Sequence, residues 1–317
     1  MSQAVINRDG SRLDDKIKLG ISTCLLGENV RYDGGHKRDR YLTDVLGPFV
    51  QWTPICPEVD CGLPVPRESM RLVGSPQAPR LMTHRTRIDH TDRMVSWANQ
   101  RLDQLEHEHV CGFVFKSKSP SSGMRDIKVY NDAGFPVGQS AGIFAKLLME
   151  RFPLLPVEDE GRLNDAALRE NFIERVFVHH RLQKLLQNAD RAGLVDFHTD
   201  HKLLIMAHSE KHLRELGKLV AAPNRRAFAE LLHDYFVTLM TALKLHATVR
   251  KNVNVLHHIV GYFKKQLDTD EKRELLHVID DYHRGLIPLI APVTLINFLV
   301  HKYNEPYLIN PATNYAA

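Results

Sequence analysis

The stretches KLGISTCLLGENVRYDGG (18–35), VQWTPICPEVDCGLPVPR (50–67) and CGFVFKSKSPSSGM (111–124) share one pattern. Each contains an apolar run typical of a buried strand, and a residue bearing sulfur or a hydroxyl follows that run. Cys24 and Cys56 follow the first two runs, and Ser119, Ser121 and Ser122 follow the third. Because the carboxyl ends of parallel strands meet at one edge of an open α/β sheet, the sequence predicts that these side chains converge there.

The remainder of the first half alternates between strand and helix patterns. We predict strands at 16–22, 50–55, 111–116 and 126–130, and helices at 40–47, 92–107 and 139–151. Asp92 is the expected N-cap of the second helix, and the proline-bearing stretch 57–80 is expected to be irregular. The order strand, helix, strand, helix, strand predicts an α/β N-terminal domain with a mainly parallel sheet.

The segment FPLLPVEDEGRLND (152–165) interrupts this alternation with two prolines, a glycine and several acids, and predicts a domain junction. Long helical patterns follow at 165–189, 197–220, 224–250, 252–267, 269–284 and 293–303. We therefore expect a flexible tail at 1–15, an α/β domain at 16–155 and an all-α helical C-terminal domain at 156–317.

The composition is that of a soluble globular protein, with 43% hydrophobic and 25% charged residues. No apolar run reaches the roughly 20 residues that a membrane helix needs, and the polar start lacks the apolar centre of a secretory signal. A cytoplasmic protein with reduced thiols is expected. The four cysteines are then more typical of ligands or buried thiols than of disulfides.

Positive charge is concentrated in the second half of the chain. Residues 1–160 carry 21 basic and 21 acidic side chains, whereas 201–265 carries 11 basic and 4 acidic ones. This excess suits a polyanion such as RNA, and a solvated helix surface is the alternative. The adjacent basic residues that would follow an RNA backbone are Arg225, Arg226, Arg250, Lys251, Lys264 and Lys265.

Other cysteines and histidines have ligand-like spacing. A zinc site formed by Cys24, Cys56 and Cys61 is one possibility, although no Cys/His pair nearby completes it. Cys111 opens a predicted strand and is expected to be a buried apolar residue. The helical half places His198 with His201, and His208 with His212, on shared helix faces. We expect these histidines at the surface or facing RNA.

The three opening motifs, namely STCLLGENVRYDGG, CPEVDCGLPVPR and KSKSPSSG, resemble those of the thiouracil desulfidase (TudS-type) family. GRLNDAALRENFIERVF (161–177) resembles the start of the YbgA-like helical domain that is found fused behind it. Together, over residues 16–317, they resemble the fused tRNA 4-thiouridine desulfidases. The resemblance implies iron–sulfur-dependent, non-redox conversion of 4-thiouridine in tRNA to uridine, with release of hydrogen sulfide.

The resemblance also implies roles for single residues. A 4Fe-4S cluster with three protein ligands would be held by Cys24 and Cys56, and Ser122 stands where the family has its third cysteine. Glu58 and Ser119 match the family's catalytic carboxylate and hydroxyl. Because serine is a poorer iron ligand than cysteine, the chain is either an inactive or altered-cluster variant, or one that uses another thiol. The candidate thiols are those of Cys61 and Cys111.

Charged residues near the motifs are candidates for substrate binding. Arg31, Tyr32 and Asp33 are expected to shape the pocket and hold nearby charged groups, although a salt bridge within their loop is equally compatible. Lys116 and Lys118 flank the third motif and are expected to contact phosphates, with solvated lysines as the alternative.

Two other functions remain open at this point. The chain would act on free thiolated pyrimidine bases or nucleosides if the helical domain served only for dimerisation. It would be a non-catalytic RNA-binding protein if Ser122 prevented cluster assembly. The expected partner is tRNA, no membrane and no obligate protein partner are indicated, and the sequence does not define an oligomeric state.

Overall fold

The computed structural model describes residues 16–222 and 227–309. The chain divides into two compact units between His180 and Arg181, and each unit is described by itself. The predicted N-terminal tail at 1–15 lies outside the described residues.

The first unit is built on a four-stranded parallel sheet. Its strands are β1 (Ile17–Ser22), β2 (Val50–Ile55), β5 (Phe113–Phe115) and β8 (Val157–Asp159). They lie in the order β2-β1-β5-β8 and every pair is parallel, which confirms the predicted α/β domain. Gly20 lets β5 lie close to β1, because a Cβ atom there would come within 2.2 Å of the Phe113 ring.

A second sheet was not expected from the sequence. It contains β3 (Met70–Gly74), β4 (Pro79–Thr83), β6 (Ile127–Tyr130) and β7 (Pro136–Ser140). The order is β4-β3-β6-β7, with antiparallel pairs at both edges and a parallel pair in the centre. The prediction that 57–80 is irregular was therefore wrong for β3, whose Leu72 and Val73 are fully buried.

Helices pack beside the two sheets. They are α1 (Pro57–Asp60), α2 (Thr91–Glu108) and α3 (Ile143–Arg151), and Tyr41–Leu46 forms a short π-helix. The buried face of α2 contains Met94, Ala98, Leu102 and Leu105, which recur at helical spacing. Asp92 is not its N-cap, because the helix begins one residue earlier and the Asp89 carboxylate accepts from the Thr91 N–H at 2.9 Å.

The predicted junction at 152–165 contains β8 and leads into the long helix α4 (Ala166–Gln187). Phe172 and Val176 of α4 belong to the same buried cluster as Leu19 and Ile21 of β1. The first half of α4 is therefore part of the first unit.

The described part of the second unit is helical throughout, as predicted. After the end of α4 it contains α5 (Arg191–His208), α6 (Glu210–Val220), α7 (Phe228–Leu243), α8 (Val249–Tyr262), α9 (Thr269–His283), α10 (Ile290–Tyr303) and α11 (Pro306–Ile309). The pattern at 197–220 was wrongly predicted as one helix, since Ser209 is extended and caps α6 by accepting from the His212 N–H. Within the described ranges, no helix combines the length and apolarity needed to cross a bilayer.

Candidate active site

A cavity of about 350 Å³ lies at the carboxyl ends of the parallel strands. It brings together segments that follow β1, β2 and β5, as the three sequence motifs predicted. The predicted site residues that line it are Cys24, Arg31, Tyr32, Cys56, Glu58, Lys116, Lys118, Ser119 and Ser122. Asp33 was predicted together with Arg31 and Tyr32 to shape the pocket, but it does not line the cavity.

Cys24 lies in the 3-10 turn that directly follows β1 and is buried. Its carbonyl oxygen accepts from the Lys37 N–H at 2.9 Å, which joins the two ends of the loop after β1. Burial raises the pKa of the Cys24 thiol, and the nearby Lys116 and Arg31 charges offset part of that rise. Burial likewise raises the pKa of Cys56 to about 11. Burial therefore makes both thiols harder to ionise than an exposed cysteine.

Glu58 lies in the single turn of α1 and has donors on both carboxylate oxygens. Oε2 accepts from the Arg67 guanidinium, with Nε at 2.9 Å, and Oε1 accepts from the Ser121 hydroxyl at 2.8 Å. The Arg67 side chain is 6% exposed and that of Glu58 is 12% exposed. The carboxylate is therefore held in one orientation, with its edge in the cavity.

Arg67 also connects two of the cavity's walls. Its guanidinium donates to the Val30 carbonyl at 3.0 Å, and its backbone N–H donates to the Tyr32 carbonyl at 2.8 Å. The loop after β1 is thus joined to the segment after β2. Arg67 was not predicted from the sequence, because an arginine in a proline-bearing stretch carries no periodic signal.

The serine loop, residues 117–123, is fixed by the start of α3. The first N–H groups of a helix lack partners within the helix, and here loop carbonyls supply them. The Pro120 carbonyl accepts from Ile143 N–H at 3.2 Å, and the Ser121 carbonyl accepts from Phe144 N–H at 3.0 Å. Gly142 permits this contact, since a Cβ atom there would come within 2.6 Å of the Ser121 backbone.

Hydroxyl groups of the serine loop connect Ser119 to Glu58. Ser119 Oγ lies 3.0 Å from Ser121 Oγ, and Ser121 Oγ donates to Glu58. The backbone N–H groups of Ser122 and Ser121 point at Ser119 Oγ from 3.1 and 3.4 Å. The two predicted catalytic residues are therefore joined through Ser121, for which the sequence predicted no role.

The two lysines that flank the third motif differ in their surroundings. The Lys116 ammonium contacts the Glu160 carboxylate, the Ser117 carbonyl at 3.0 Å and the Ser117 hydroxyl at 3.2 Å. These three contacts use its three donors, so Lys116 is held as part of the cavity wall. Lys118 is exposed and, within the described residues, has no carboxylate at ion-pair distance. Lys37, also exposed in the cavity lining, is another such cation.

The loop after β1 carries Arg31, Tyr32 and Asp33. Arg31 Nε lies 3.4 Å from Asp33 Oδ1, and its guanidinium stands 5.4 Å from the Tyr32 ring centroid. The Asp33 carboxylate also accepts from the Gly35 N–H at 3.1 Å, and this bond contributes most to lowering the pKa of Asp33. Asp33 thus makes the internal loop contacts that the sequence left as an alternative, while Arg31 and Tyr32 line the cavity.

The other two cysteines do not line the cavity. Cys61 follows the last residue of α1 and its Sγ lies 3.3 Å from the Glu58 carbonyl, and Cys111 is buried with its sulfur 3.5 Å from His180 Nδ1. Cys111 is therefore the buried thiol that was predicted. Among the described residues no group of three or more His, Cys, Asp or Glu side chains is arranged to hold a metal ion, and Cys61 does not join Cys24 and Cys56 in the cavity lining.

The donors in the cavity fit an iron–sulfur cluster with one weak ligand. Cys24 and Cys56 supply two thiols, and Ser122 is buried in the same lining. Across residues 16–222 and 227–309 the Ser122 hydroxyl makes no hydrogen bond, so its oxygen is available as a third donor. Oxygen binds cluster iron less well than thiolate sulfur does.

The candidate RNA-binding residues of the second unit fall into three groups. Arg225 and Arg226 lie outside the described residues. Arg250, Lys264 and Lys265 are exposed. Lys251 instead donates to the His208 carbonyl at 2.7 Å and to the His246 carbonyl at 3.1 Å, so it holds the backbone around the start of α8.

The expectation that the paired histidines lie at the surface was wrong for two of them. His201 and His208 are buried, and their Nδ1 atoms contact the carbonyls of Phe197 and Leu245. Burial lowers the pKa of His201 to about 4. Both contacts stabilise helix packing, and His201 makes its contact in the neutral form near neutral pH. His198 contacts the Tyr235 hydroxyl at 3.2 Å, and His212 contacts the Ser209 hydroxyl at 2.8 Å.

Comparisons with known proteins agree with this two-part organisation. The family model for 2-thiouracil desulfurase matches residues 19–160, and that of a protein of unknown function (DUF1722) matches residues 202–312. The uncharacterized protein YbgA of Escherichia coli (strain K12) is 33% identical over 136 residues, which cover 42% of this chain and 80% of that protein.

A solved structure titled [4Fe-4S]-dependent thiouracil desulfidase TudS is 30% identical, covers 49% of this chain and 97% of its own, and has a TM-score of 0.40. The two family matches confirm the resemblance that was drawn from the motifs. The chain therefore belongs with YbgA and its DUF1722 domain, and residues 19–160 ahead of that domain match the 2-thiouracil desulfurase family.

Proposed function

We propose that this chain removes sulfur from 4-thiouridine in tRNA, giving uridine and hydrogen sulfide. The observation that carries the proposal is the single cavity in which two thiols, a fixed carboxylate and a hydroxyl meet. Family membership supports desulfuration of a thiolated pyrimidine. The exposed cations at the cavity and on the second unit support a phosphate-bearing substrate.

Cys24, Cys56 and the Ser122 oxygen would hold an iron–sulfur cluster. When bound, such a cluster supplies a Lewis-acidic iron to which a departing sulfur has high affinity. Ligation requires the Cys24 and Cys56 thiols to lose their protons, and the positive charge of iron offsets the burial that raises their pKa.

The chain's own groups would move the proton and place the ring. Glu58 is oriented by Arg67 and Ser121, and it would act as general base for the water that attacks the thiocarbonyl carbon. Ser119 would hydrogen-bond that water or a ring oxygen. Arg31 and Tyr32 would contact the nucleotide, and Lys118 and Lys37 would contact its phosphates.

A base inside a folded tRNA must leave its stack to enter a cavity of this kind. The second unit would hold the tRNA body through the exposed cations Arg250, Lys264 and Lys265. Backbone contacts of this type are independent of sequence, so the cavity would provide the selection for the thiolated base.

A second candidate is desulfuration of free thiolated bases or nucleosides. The cavity volume of about 350 Å³ favours it, because that volume is typical of a small-molecule site. Sulfide release by the full chain, reconstituted anaerobically with iron and sulfide, separates the two. We expect a higher kcat/KM on thiolated tRNA than on free 4-thiouridine. Equal values would assign the free nucleoside as substrate, and no release from either would contradict desulfuration.

A further inference from the structure

We propose that Ser121 relays a proton between Ser119 and Glu58, so that the three side chains act as one acid–base unit. This proposal rests on the proposed desulfuration and assigns a role to a residue that neither holds iron nor binds the ring. Ser121 is 1% exposed and lies at the cavity wall between the other two.

The direction of the relay follows from counting hydrogens. A serine hydroxyl has one hydrogen to donate, and that of Ser121 points to Glu58 Oε1 at 2.8 Å. The contact of 3.0 Å between Ser119 and Ser121 then requires the Ser119 hydroxyl to donate. The chain of donors runs from Ser119 through Ser121 to Glu58.

The neighbouring groups favour proton transfer at both ends of this series of hydrogen bonds. Ser119 Oγ faces two backbone N–H groups, which favour negative charge on that oxygen as its proton leaves. At the other end, Glu58 Oε2 is held by the Arg67 guanidinium, so that Oε1 alone faces Ser121. The serine loop is itself fixed by the start of α3, which keeps the three oxygens in line.

The proton transfer balances without any further reactant. As the water oxygen bonds to the thiocarbonyl carbon, its proton passes to Ser119 Oγ. The Ser119 proton passes to Ser121 Oγ, and the Ser121 proton passes to Glu58 Oε1. The same three steps in reverse return that proton to the departing sulfur, which leaves as hydrosulfide. The second hydrogen of the water, still on the new C–O group, then passes along the same path to Glu58 as the carbonyl forms, and Glu58 releases it to solvent. Both serines end as they began.

The test is a double-mutant cycle on the cluster-loaded full chain, with Ser119→Ala, Ser121→Ala and both together. We expect Ser121→Ala to lower kcat for sulfide release on the order of 10²-fold with little change in KM, because proton transfer contributes about that factor. The double variant should be no slower than Ser119→Ala, since both serines belong to one path. Deuterium oxide should slow the natural chain more than Ser121→Ala.

A matched control is Ser75→Ala, which removes a hydroxyl bonded to Gln77 in the turn between β3 and β4, outside the cavity. It should retain the natural kcat. Tryptophan fluorescence unfolding reports whether each variant keeps the fold of the first unit, which contains Trp52 and Trp97. A folded Ser121→Ala with the natural kcat and isotope effect, or an additive double variant, would overturn the relay alone. A natural chain that releases no sulfide would overturn the desulfuration proposal and the relay with it.

Discussion

At the scale of single residues, the Arg67–Glu58 ion pair is the contact on which the cavity most depends. Both side chains are largely buried, and Arg67 also bonds the Val30 carbonyl. Arg67→Ala would leave a buried carboxylate without its partner, which costs roughly 3–5 kcal/mol. We expect a loss of that size in the free energy of unfolding, measured by urea and tryptophan fluorescence, because both tryptophans lie in the first unit.

Arg151→Ala is the control for that measurement. Arg151 pairs with Asp103 and Glu106, but it is 49% exposed, so its removal should cost about 0–1 kcal/mol. Arg67→Lys should fall between the two variants, because lysine keeps the charge and loses the forked geometry. Equal losses for Arg67→Ala and Arg151→Ala would contradict the structural role of the buried pair.

In the proposed site, Ser122 would determine how firmly a cluster is held. Its free hydroxyl is the weakest of the three proposed donors, and Ser122→Cys replaces it with a thiol at the same buried position. We expect the variant to contain more iron and sulfide per chain after anaerobic reconstitution, and to lose them more slowly in air. Cys61→Ser serves as the control and should leave iron content unchanged, since Cys61 does not line the cavity. Equal iron in Ser122→Cys and the natural chain would contradict the assignment.

The residues that the sequence predicted correctly to meet are those that directly follow strands. Cys24, Cys56 and Ser119 could be placed together because parallel strands end at one sheet edge. Arg67 and Ser121 could not be assigned partners in this way. Their contacts with Glu58 join side chains across 9 and 63 residues, and they depend on loop geometry that no periodic pattern records.

At the scale of elements, α9 shows how a capping carboxylate connects two helices. Glu271 accepts from the Asp268 N–H in a capping box and also contacts Lys302 and Tyr303 at the end of α10. The contacts with Lys302 and then Tyr303 lower the pKa of Glu271 to about 2. Because the pKa is depressed on folding, this stabilisation is present above the ordinary value of 4.5 and is lost as pH falls toward 2.

Glu271→Gln should therefore lower the thermal midpoint of the second unit, followed by circular dichroism. The difference in thermal midpoint between the variant and the natural chain should be largest near pH 7 and should shrink between pH 4.5 and about 2. Glu274→Gln, at an exposed position of the same helix, is the matched control and should show little change at any pH. A difference that stays constant through this window would mean that the Glu271 charge does not contribute.

Elements with a clear apolar spacing, such as β1, β2 and α2, were predicted well, and strands among prolines and glycines were not. The apolar spacing of α2 repeats over 18 residues and gave its bounds to within one residue at each end. Strands β3 and β4 have five residues each and lie among prolines and glycines, so turn signals hid them. The break between α5 and α6 at Ser209 was missed because the apolar spacing continues on both sides of it. The capping bond from the His212 N–H to Ser209 leaves no mark on that spacing.

At the scale of the whole molecule, the uneven charge predicts salt-dependent tRNA binding by the full chain. Replacing Arg250, Lys264 and Lys265 together by alanine should weaken binding and flatten the plot of log affinity against log salt. The slope should fall by roughly 0.7–0.9 for each phosphate that the variant no longer neutralises. Lys211→Ala is the control, since Lys211 faces Glu215 at 3.9 Å and its charge is already partly balanced. An unchanged slope in the triple variant would contradict RNA binding by this surface.

The division into an α/β part and a helical part followed from the change of period along the chain, because strand and helix patterns differ over many residues. The binding partner of the helical part could not be predicted from the sequence in the same way. Exposed cations such as Lys264 lie on a helix surface in either case, and the same positive charge is compatible with RNA or with solvent alone.

The central claim is that the cavity around Glu58 replaces a thiocarbonyl sulfur with oxygen from water. The most direct measurement is the mass of the uridine formed from 4-thiouridine tRNA in oxygen-18 water by the anaerobically reconstituted full chain. We expect uridine carrying one oxygen-18 atom, released together with sulfide, and none formed by Glu58→Gln. Uridine without the label, or equal conversion by Glu58→Gln, would contradict this claim.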